Sequence, residues 1–147
     1  MHGVLTFSRT PNEPMAVYVR AEPGEVRSIL QLLGVLKIDR DWPSLRDPAG
    51  LLANWLEEFG EHWQRTSPGA FLEGGIIEMG HNLVLADNLY DEGRAALLTV
   101  PHCKRLISSW AELLATRPHK SDALPDALPF EYLAHGDAAN GQFSAAF

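Results

Sequence analysis

This 147-residue sequence has one cysteine, Cys103, and no long apolar run. A single cysteine excludes an internal disulfide framework and is typical of a protein in a reducing compartment. The longest apolar run, Leu97-Leu98-Thr99-Val100, ends at Pro101 and is far shorter than the ~18–20 residues that span a bilayer. The first residues lack the basic and apolar pattern of a secretory signal. We therefore expect a cytoplasmic protein with no membrane partner.

The sequence also lacks recognisable catalytic and metal-binding motifs. Its six histidines show no H-x-x-x-H or H-E-x-x-H spacing, and no serine lies in a G-x-S-x-G motif. His102 and Cys103 are adjacent, and the side chains of neighbouring helix positions point about 100° apart. The two residues therefore cannot easily coordinate the same metal ion. We expect no cofactor, no metal site and no enzymatic activity, with Cys103 a small buried side chain.

What the sequence does have is a concentration of acidic residues. Between Arg46 and Arg94, nine acidic residues and one basic residue, Arg65, give a net charge of −8, against −7 for the whole chain. The nine are Asp47, Glu57, Glu58, Glu61, Glu73, Glu78, Asp87, Asp91 and Glu92. A field of one sign attracts a cationic partner and repels nucleic acid, so we expect no nucleic-acid partner.

Two interpretations of these acids stay open. A charged helix face is ordinarily just solvated surface. Here, however, the acids are interleaved with aromatic residues of the kind that anchor interfaces, namely Trp55, Trp63, Phe71 and Tyr90. This interleaving favours a binding surface over plain solvation.

Hydrophobic periodicity predicts an α+β fold, with an antiparallel sheet of three to five strands packed against about three helices. Strands are predicted at 4–7, 15–20 and 95–99, with a hairpin of 75–79 and 83–87 around Gly80-His81-Asn82. Helices are predicted at 23–36, 48–63 and 100–116. The residues expected to be buried in their packing are Trp55, Phe59, Leu106 and Trp110.

The pattern predicts a single domain, 1–147, with its core at about 15–117 and a Pro/Gly-rich extension at 118–147. Residues 37–46 and 67–69 are predicted loops. Within the extension, 130–133 is expected to dock as an edge strand or to cover a groove, and 138–147 to be loosely ordered.

A family resemblance rests on three features of the chain. They are Phe71-Leu72-Glu73-Gly74-Gly75-Ile76-Ile77-Glu78, the hairpin that follows, and Leu97-Leu98-Thr99 leading into Leu106, Trp110 and Leu113-Leu114. Over about 15–118, the chain resembles small bacterial immunity proteins of polymorphic and contact-dependent toxin systems. The resemblance implies a protein that binds one toxin domain, often a nuclease, and blocks its active site. It assigns no individual residue as a toxin contact.

The sequence thus predicts an immunity-type protein that binds a basic toxin domain. The partner-binding residues predicted for it are Glu57, Glu58, Glu61, Asp87, Tyr90, Asp91 and Glu92. One alternative is a small-ligand-binding protein or enzyme with an unrecognised site, for instance a cleft lined by Trp42, Trp55 and Tyr132. Another is a structural adaptor that associates through a broad apolar patch.

Overall fold

The computed structural model describes residues 1–38, 48–59, 65–72, 74–90, 94–116 and 124–147. In chain order, the strands of these residues are β1 (His2–Thr10), β2 (Glu13–Glu22), β3 (Lys37–Ile38), β4 (Thr66–Gly69), β5 (Gly75–Gly80), β6 (Leu83–Asn88), β7 (Ala96–Thr99), β8 (Leu128–Glu131) and β9 (Ala134–His135). The helices are α1 (Leu30–Leu33), α2 (Pro48–Phe59), α3 (Val100–Thr116) and α4 (Gly136–Ala145), and a 3₁₀ helix, Gly24–Ile29, precedes α1. The fold is α+β, as predicted.

The strands form two antiparallel sheets. The first has the order β3-β2-β1-β8 and the second the order β4-β5-β6-β7-β9. In the first sheet, β8 pairs with the start of β1, so that His2 lies opposite Glu131 and Leu5 opposite Leu128. Residues from the two ends of the sequence therefore complete one sheet.

The predicted helix at 23–36 is shorter than expected and is mostly a 3₁₀ helix. Val26, at φ −103° and ψ 20°, departs from helical geometry. Gly34 then ends α1 in the left-handed conformation, at φ 65°, and its N–H donates to the carbonyl of Leu30 at 2.8 Å. Leu36, the last residue of the predicted helix, consequently lies exposed beyond the end of α1.

The helix predicted at 100–116 is confirmed as α3. Thr99 caps it, because its Oγ1 accepts a hydrogen bond from the N–H of His102 at 3.1 Å. Cys103, Leu106 and Trp110 are buried, as predicted.

The helix predicted at 48–63 is confirmed over Pro48–Phe59, and its remaining positions lie outside the described residues. Leu52 and Leu56 are buried, whereas Trp55 is only half-buried and packs against the edge of the core. Leu51, directly before Leu52, is exposed. The side chain of Phe59 is outside the described part of the chain.

The predicted hairpin is confirmed as β5 and β6, with a tighter turn than expected. Gly80 remains in β5, paired with Leu83, and the turn consists of His81 (φ 51°) and Asn82 (φ 63°). Two central residues at positive φ match the right-handed twist of the flanking strands, which is why this turn is favoured in hairpins.

Two predicted loops contain short strands. Residues 67–69 belong to β4, an edge strand paired with β5, and an edge tolerates the missing N–H of Pro68. Lys37 and Ile38 form β3, which pairs with β2, while the rest of the predicted loop at 37–46 is outside the described residues.

The structure differs most from the sequence prediction in the C-terminal region. Phe130, which was expected in an edge strand, lies in the edge strand β8. The prediction that 138–147 is loosely ordered is wrong, because α4 occupies most of this segment. Ala139 and Phe143 of α4 are completely buried in a second apolar cluster with Leu97 and Ala134. Two such positions four residues apart are enough to dock a short helix that has no strong amphipathic pattern. Apolar clusters thus extend beyond the predicted limits of 15–117.

Candidate functional site

Two adjacent glycines shape the turn before β5. A Cβ atom on Gly74, whose φ is +72°, would overlap the ring of Tyr90. A Cβ atom on Gly75 would overlap the amide group of Gln31. The N–H of Leu89 also donates to the carbonyl of Gly74, at 2.9 Å. The absence of side chains at these two positions therefore brings Tyr90 and Gln31 against the same turn.

Two buried polar side chains come from the 3₁₀ helix and α1. Gln31 is 4% exposed, and its Oε1 accepts a hydrogen bond from the N–H of Leu72 at 3.0 Å. Ser28 is 3% exposed, and its Oγ has no hydrogen-bond partner within the residues that the structure describes. A buried polar group without a partner costs about 1–3 kcal/mol, so Ser28 marks a place where a partner would be stabilising.

These side chains line a groove of about 640 Å³. Its described lining is Arg27, Ser28, Leu30, Gln31, Leu36, Leu72, Asn88 and Tyr90. A second cavity of about 470 Å³ shares Arg27, Leu30 and Leu36 with it and adds Tyr18, Val19, Arg20, Ala21 and Gly24. We call the two together the Arg27 groove. Each part falls within the roughly 300–1,000 Å³ that is usual for small-molecule sites.

Tyr90 lies at the edge of this groove, and most of its surface is exposed to solvent. It is 79% exposed, and its neighbour Leu89 is 65% exposed. Its N–H donates to Oδ1 of Asn88 at 2.9 Å, and the N–H of Asn88 donates to Oδ1 of Asp87 at 2.8 Å. The end of β6 therefore has a hydrogen-bonded backbone, and the ring it presents rests against Gly74.

The structure places the predicted partner-binding residues in two groups. Glu57 and Glu58 are exposed on α2, while Asp87, which is half-buried, and Tyr90 lie together at the end of β6. Within the described ranges, no hydrogen bond or ion pair joins the two groups. The remaining three predicted residues, Glu61, Asp91 and Glu92, lie outside the described residues.

An aromatic contact connects α2 to the glycine turn. Trp55 stacks on Phe71 with ring centroids 5.4 Å apart and an interplanar angle of 25°. Phe71 precedes Leu72, whose N–H is held by Gln31. The helix that carries Glu57 and Glu58 is thus packed against the same segment that supports Tyr90.

One member of the acidic stretch is paired with its only basic residue. Arg65 donates to both carboxylate oxygens of Glu78, from Nε and from an Nη, each at 2.8 Å. The guanidinium of Arg65 also lies 5.4 Å from the ring centre of Phe143. Glu78 therefore contributes little to any negative patch.

The cleft suggested around Trp42, Trp55 and Tyr132 does not coincide with the Arg27 groove. Tyr132 is buried in the core beside Phe130, and Trp55 is engaged with Phe71. Trp42 lies outside the described residues.

Sequence reasoning missed the main polar residues of the groove, which are Arg27, Ser28 and Gln31. On a helical wheel, Ser28 and Gln31 fall away from the apolar side of their segment and would be assigned to solvent. They are buried because their segment has neighbours on its polar side as well. The 3₁₀ helix, which carries Ser28, contacts β2, β6 and β7, and α1, which carries Gln31, contacts α2, β5 and β6. The only signal in the sequence is the pair Gly74-Gly75.

A second polar cluster connects α3 to β8. Oε2 of Glu131 lies 3.4 Å from Nε2 of His102 and accepts a hydrogen bond from Arg105 at 3.3 Å. Nδ1 of His102 accepts from the N–H of Thr99 at 3.3 Å. Burial, followed by the positive charge of Arg105, lowers the pKa of His102, and Glu131 opposes this shift.

We expect this cluster to make stability depend on pH. Because the folded-state pKa of His102 lies below its unfolded value of about 6.5, the unfolded chain binds more protons in the interval between the two. The free energy of unfolding should therefore fall as the pH drops below about 6.5, and less steeply in His102→Gln. Urea denaturation at several pH values between 7 and 5 would measure this, and identical slopes for the two proteins would contradict it.

The described residues contain no group of three or more histidine, cysteine, aspartate or glutamate side chains placed to hold a metal ion. Complete burial raises the pKa of the Cys103 thiol. Across the described ranges, no helix is long and apolar enough to cross a membrane.

Comparison with known proteins does not assign this chain to a family. No family model matches it, and no curated protein or solved structure is significantly similar to it. Function is therefore argued from the site alone.

Proposed function

We propose that this protein binds a basic protein partner through a surface centred on Tyr90. We further propose that it is an immunity-type protein of the bacterial cytoplasm that neutralises a toxin domain of the nuclease class. The observation that carries the proposal is the Tyr90 ring, which is 79% exposed although its backbone is held by Asn88 and its base rests on Gly74.

An exposed aromatic ring with a fixed base is suited to anchoring a partner. Aromatic residues dominate the binding energy of interfaces, and an anchor that is already in place loses less conformational entropy on binding. Leu89, which is 65% exposed, adds apolar area directly beside the ring. Together they form a small apolar centre that a partner can cover.

The charge of the stretch of sequence that contains Tyr90 favours a cationic partner. Glu57 and Glu58 are exposed on α2, and the stretch between Arg46 and Arg94 carries a net charge of −8. Such a field accelerates encounter with a positive surface and adds selectivity. A nuclease binds phosphate in a cationic groove, so an acidic surface can occupy it in place of the substrate.

The acidic residues of α2 and the ring of Tyr90 should affect different rate constants when this protein binds the one encoded by the adjacent reading frame. The double variant Glu57→Lys, Glu58→Lys should slow association about tenfold or more at low ionic strength, because steering is lost. Tyr90→Ala should mainly speed dissociation, by roughly 30-fold, which corresponds to a loss of about 2 kcal/mol. Stopped-flow or surface plasmon resonance measurements over a range of salt would resolve both rates.

A matched control is the double variant Glu112→Lys, Asp126→Lys, which changes the net charge equally but acts on α3 and on the segment before β8. We expect it to alter association much less. If both double variants slow association equally, only the overall charge matters, and the face of α2 is solvated surface rather than an interface.

A second candidate function is the binding of a small molecule, the alternative left open by the sequence. The Arg27 groove favours it, because Ser28 and Gln31 are buried polar groups in the lining of a cavity of suitable size. This function requires neither the acidic surface nor a protein partner.

A further inference from the structure

We propose that the Arg27 groove binds an amphipathic organic anion, with its negative group near Arg27 and its apolar body along Leu30 and Leu36. The inference rests on the small-molecule function and specifies its ligand class. It does not require the toxin proposal to be correct, although Tyr90 belongs to both sites.

The charge of the groove points to an anion. Arg20 and Arg27 are the two charged residues of its described lining, which includes no aspartate or glutamate. This is notable in a chain with nineteen acidic and twelve basic residues. A cationic ligand would meet two positive charges and no opposite charge in that lining, whereas a carboxylate would form charge-assisted hydrogen bonds with a guanidinium.

One polar side-chain atom in the lining of the groove has no hydrogen-bond partner among the described residues. Ser28 lines the cavity, and its buried Oγ has no partner within the described residues. A hydroxyl group can donate as well as accept, and rotation about χ1 changes where it donates. A carboxylate held near Arg27, the preceding residue, would supply the missing acceptor, because both residues line the same cavity.

The other part of the groove, apart from Arg20 and Arg27, is mainly apolar. Val19, Ala21 and Leu30 are buried in its lining, and Leu36 contributes an exposed side chain. Because Arg27, Leu30 and Leu36 line both cavities, the positive charge lies where the polar and apolar parts adjoin. A ligand with one anionic end and an apolar body matches this arrangement, whereas a small inorganic anion would leave the apolar part unfilled.

The ligand class can be tested with three ten-carbon probes that differ only in their head group: decanoate, decan-1-ol and decylamine. Below their aggregation concentrations, we expect decanoate to bind at least about tenfold more tightly than decanol, since a hydrogen bond to a charged group contributes about 1.5–3 kcal/mol. Decylamine should bind most weakly. In ¹⁵N-resolved spectra, decanoate should shift the amides of residues 27–31 and 88–90.

Variants of the full chain then test the position of the charge. Arg27→Gln should remove most of the preference for decanoate over decanol and leave decanol binding unchanged, with Arg20 accounting for any remaining preference. Arg27→Lys should retain most of the difference. Ser28→Ala should weaken decanoate binding roughly three- to tenfold, as expected for one lost hydrogen bond. Arg105→Gln, on α3, is the matched control and should change neither probe. Thermal unfolding confirms that each variant is folded.

Equal affinity for the three probes, with shifts in the groove, would overturn the anion assignment and leave small-molecule binding in place. Shifts confined to other surfaces, or no binding of any probe, would overturn both. An undiminished preference for decanoate in folded Arg27→Gln would also overturn the assignment. None of these results affects the proposed binding of a basic protein, since Arg27→Gln keeps Tyr90, Glu57 and Glu58.

Discussion

Replacing Trp110 by alanine should lower the free energy of unfolding by about 3–5 kcal/mol. Trp110 is 1% exposed in the middle of α3, and its ring stacks on Phe7 of β1 with centroids 6.4 Å apart and an interplanar angle of 13°. Truncation would leave a large cavity between the helix and the first sheet. Because the surrounding strands are paired, the cavity should collapse only partly. Urea denaturation monitored by circular dichroism would measure the loss.

The half-buried Trp55 provides the comparison for Trp110. Its ring stacks on Phe71 at the edge of the core, so Trp55→Ala should be clearly less costly. A loss below about 1 kcal/mol for Trp110→Ala, or a larger loss for Trp55→Ala, would contradict the burial of Trp110 between α3 and β1.

A second large loss of stability is expected for replacing Phe143, although the sequence alone predicts almost no loss at this position. Phe143 of α4 is completely buried, contacts Phe147 at a centroid distance of 5.0 Å and lies beneath the guanidinium of Arg65. Phe143→Ala should therefore lower the free energy of unfolding by about 3–5 kcal/mol. The same denaturation experiment measures it.

Phe147→Ala is the control, because this residue is also aromatic and close to the end of α4 but is about half-exposed. Its loss should be well below that of Phe143→Ala. If both variants are as stable as the wild type, the end of the chain does not dock on the second sheet, and the original expectation of a loosely ordered segment was right.

Local sequence patterns predicted the elements whose signals are strong. The helical spacing of apolar residues such as Leu106 and Trp110 predicted α3. Alternating apolar residues on both sides of His81-Asn82 predicted the β5–β6 hairpin. In these cases, side-chain periodicity, capping and turn chemistry agree with the tertiary structure.

Long-range packing determined the features that were missed. No local pattern shows that β8 pairs with the first residues of the chain, or that Phe143 finds an apolar cluster against Leu97. The same applies to the groove, where Ser28 and Gln31 look like surface residues until the 3₁₀ helix and α1 are covered by their neighbours. Periodicity identifies the apolar face of an element but not what covers its other face.

The acidic residues between Arg46 and Arg94 differ in their exposure and pairing. Glu57 and Glu58 are exposed on α2, and Tyr90 is exposed at the end of β6, but Glu78 is paired with Arg65. Charge in a sequence shows where acids occur, and only the fold shows which of them have a partner.

The central claim, that this protein neutralises a toxin through the surface around Tyr90, is tested most directly by protection in cells. The C-terminal domain encoded by the adjacent reading frame would be expressed in a bacterial host, alone and together with this chain. We predict that the domain alone arrests growth, that the wild-type chain restores it, and that a folded Glu57→Lys, Glu58→Lys, Tyr90→Ala variant does not. Growth arrest that the wild-type chain fails to relieve, or full protection by the triple variant, would contradict the claim.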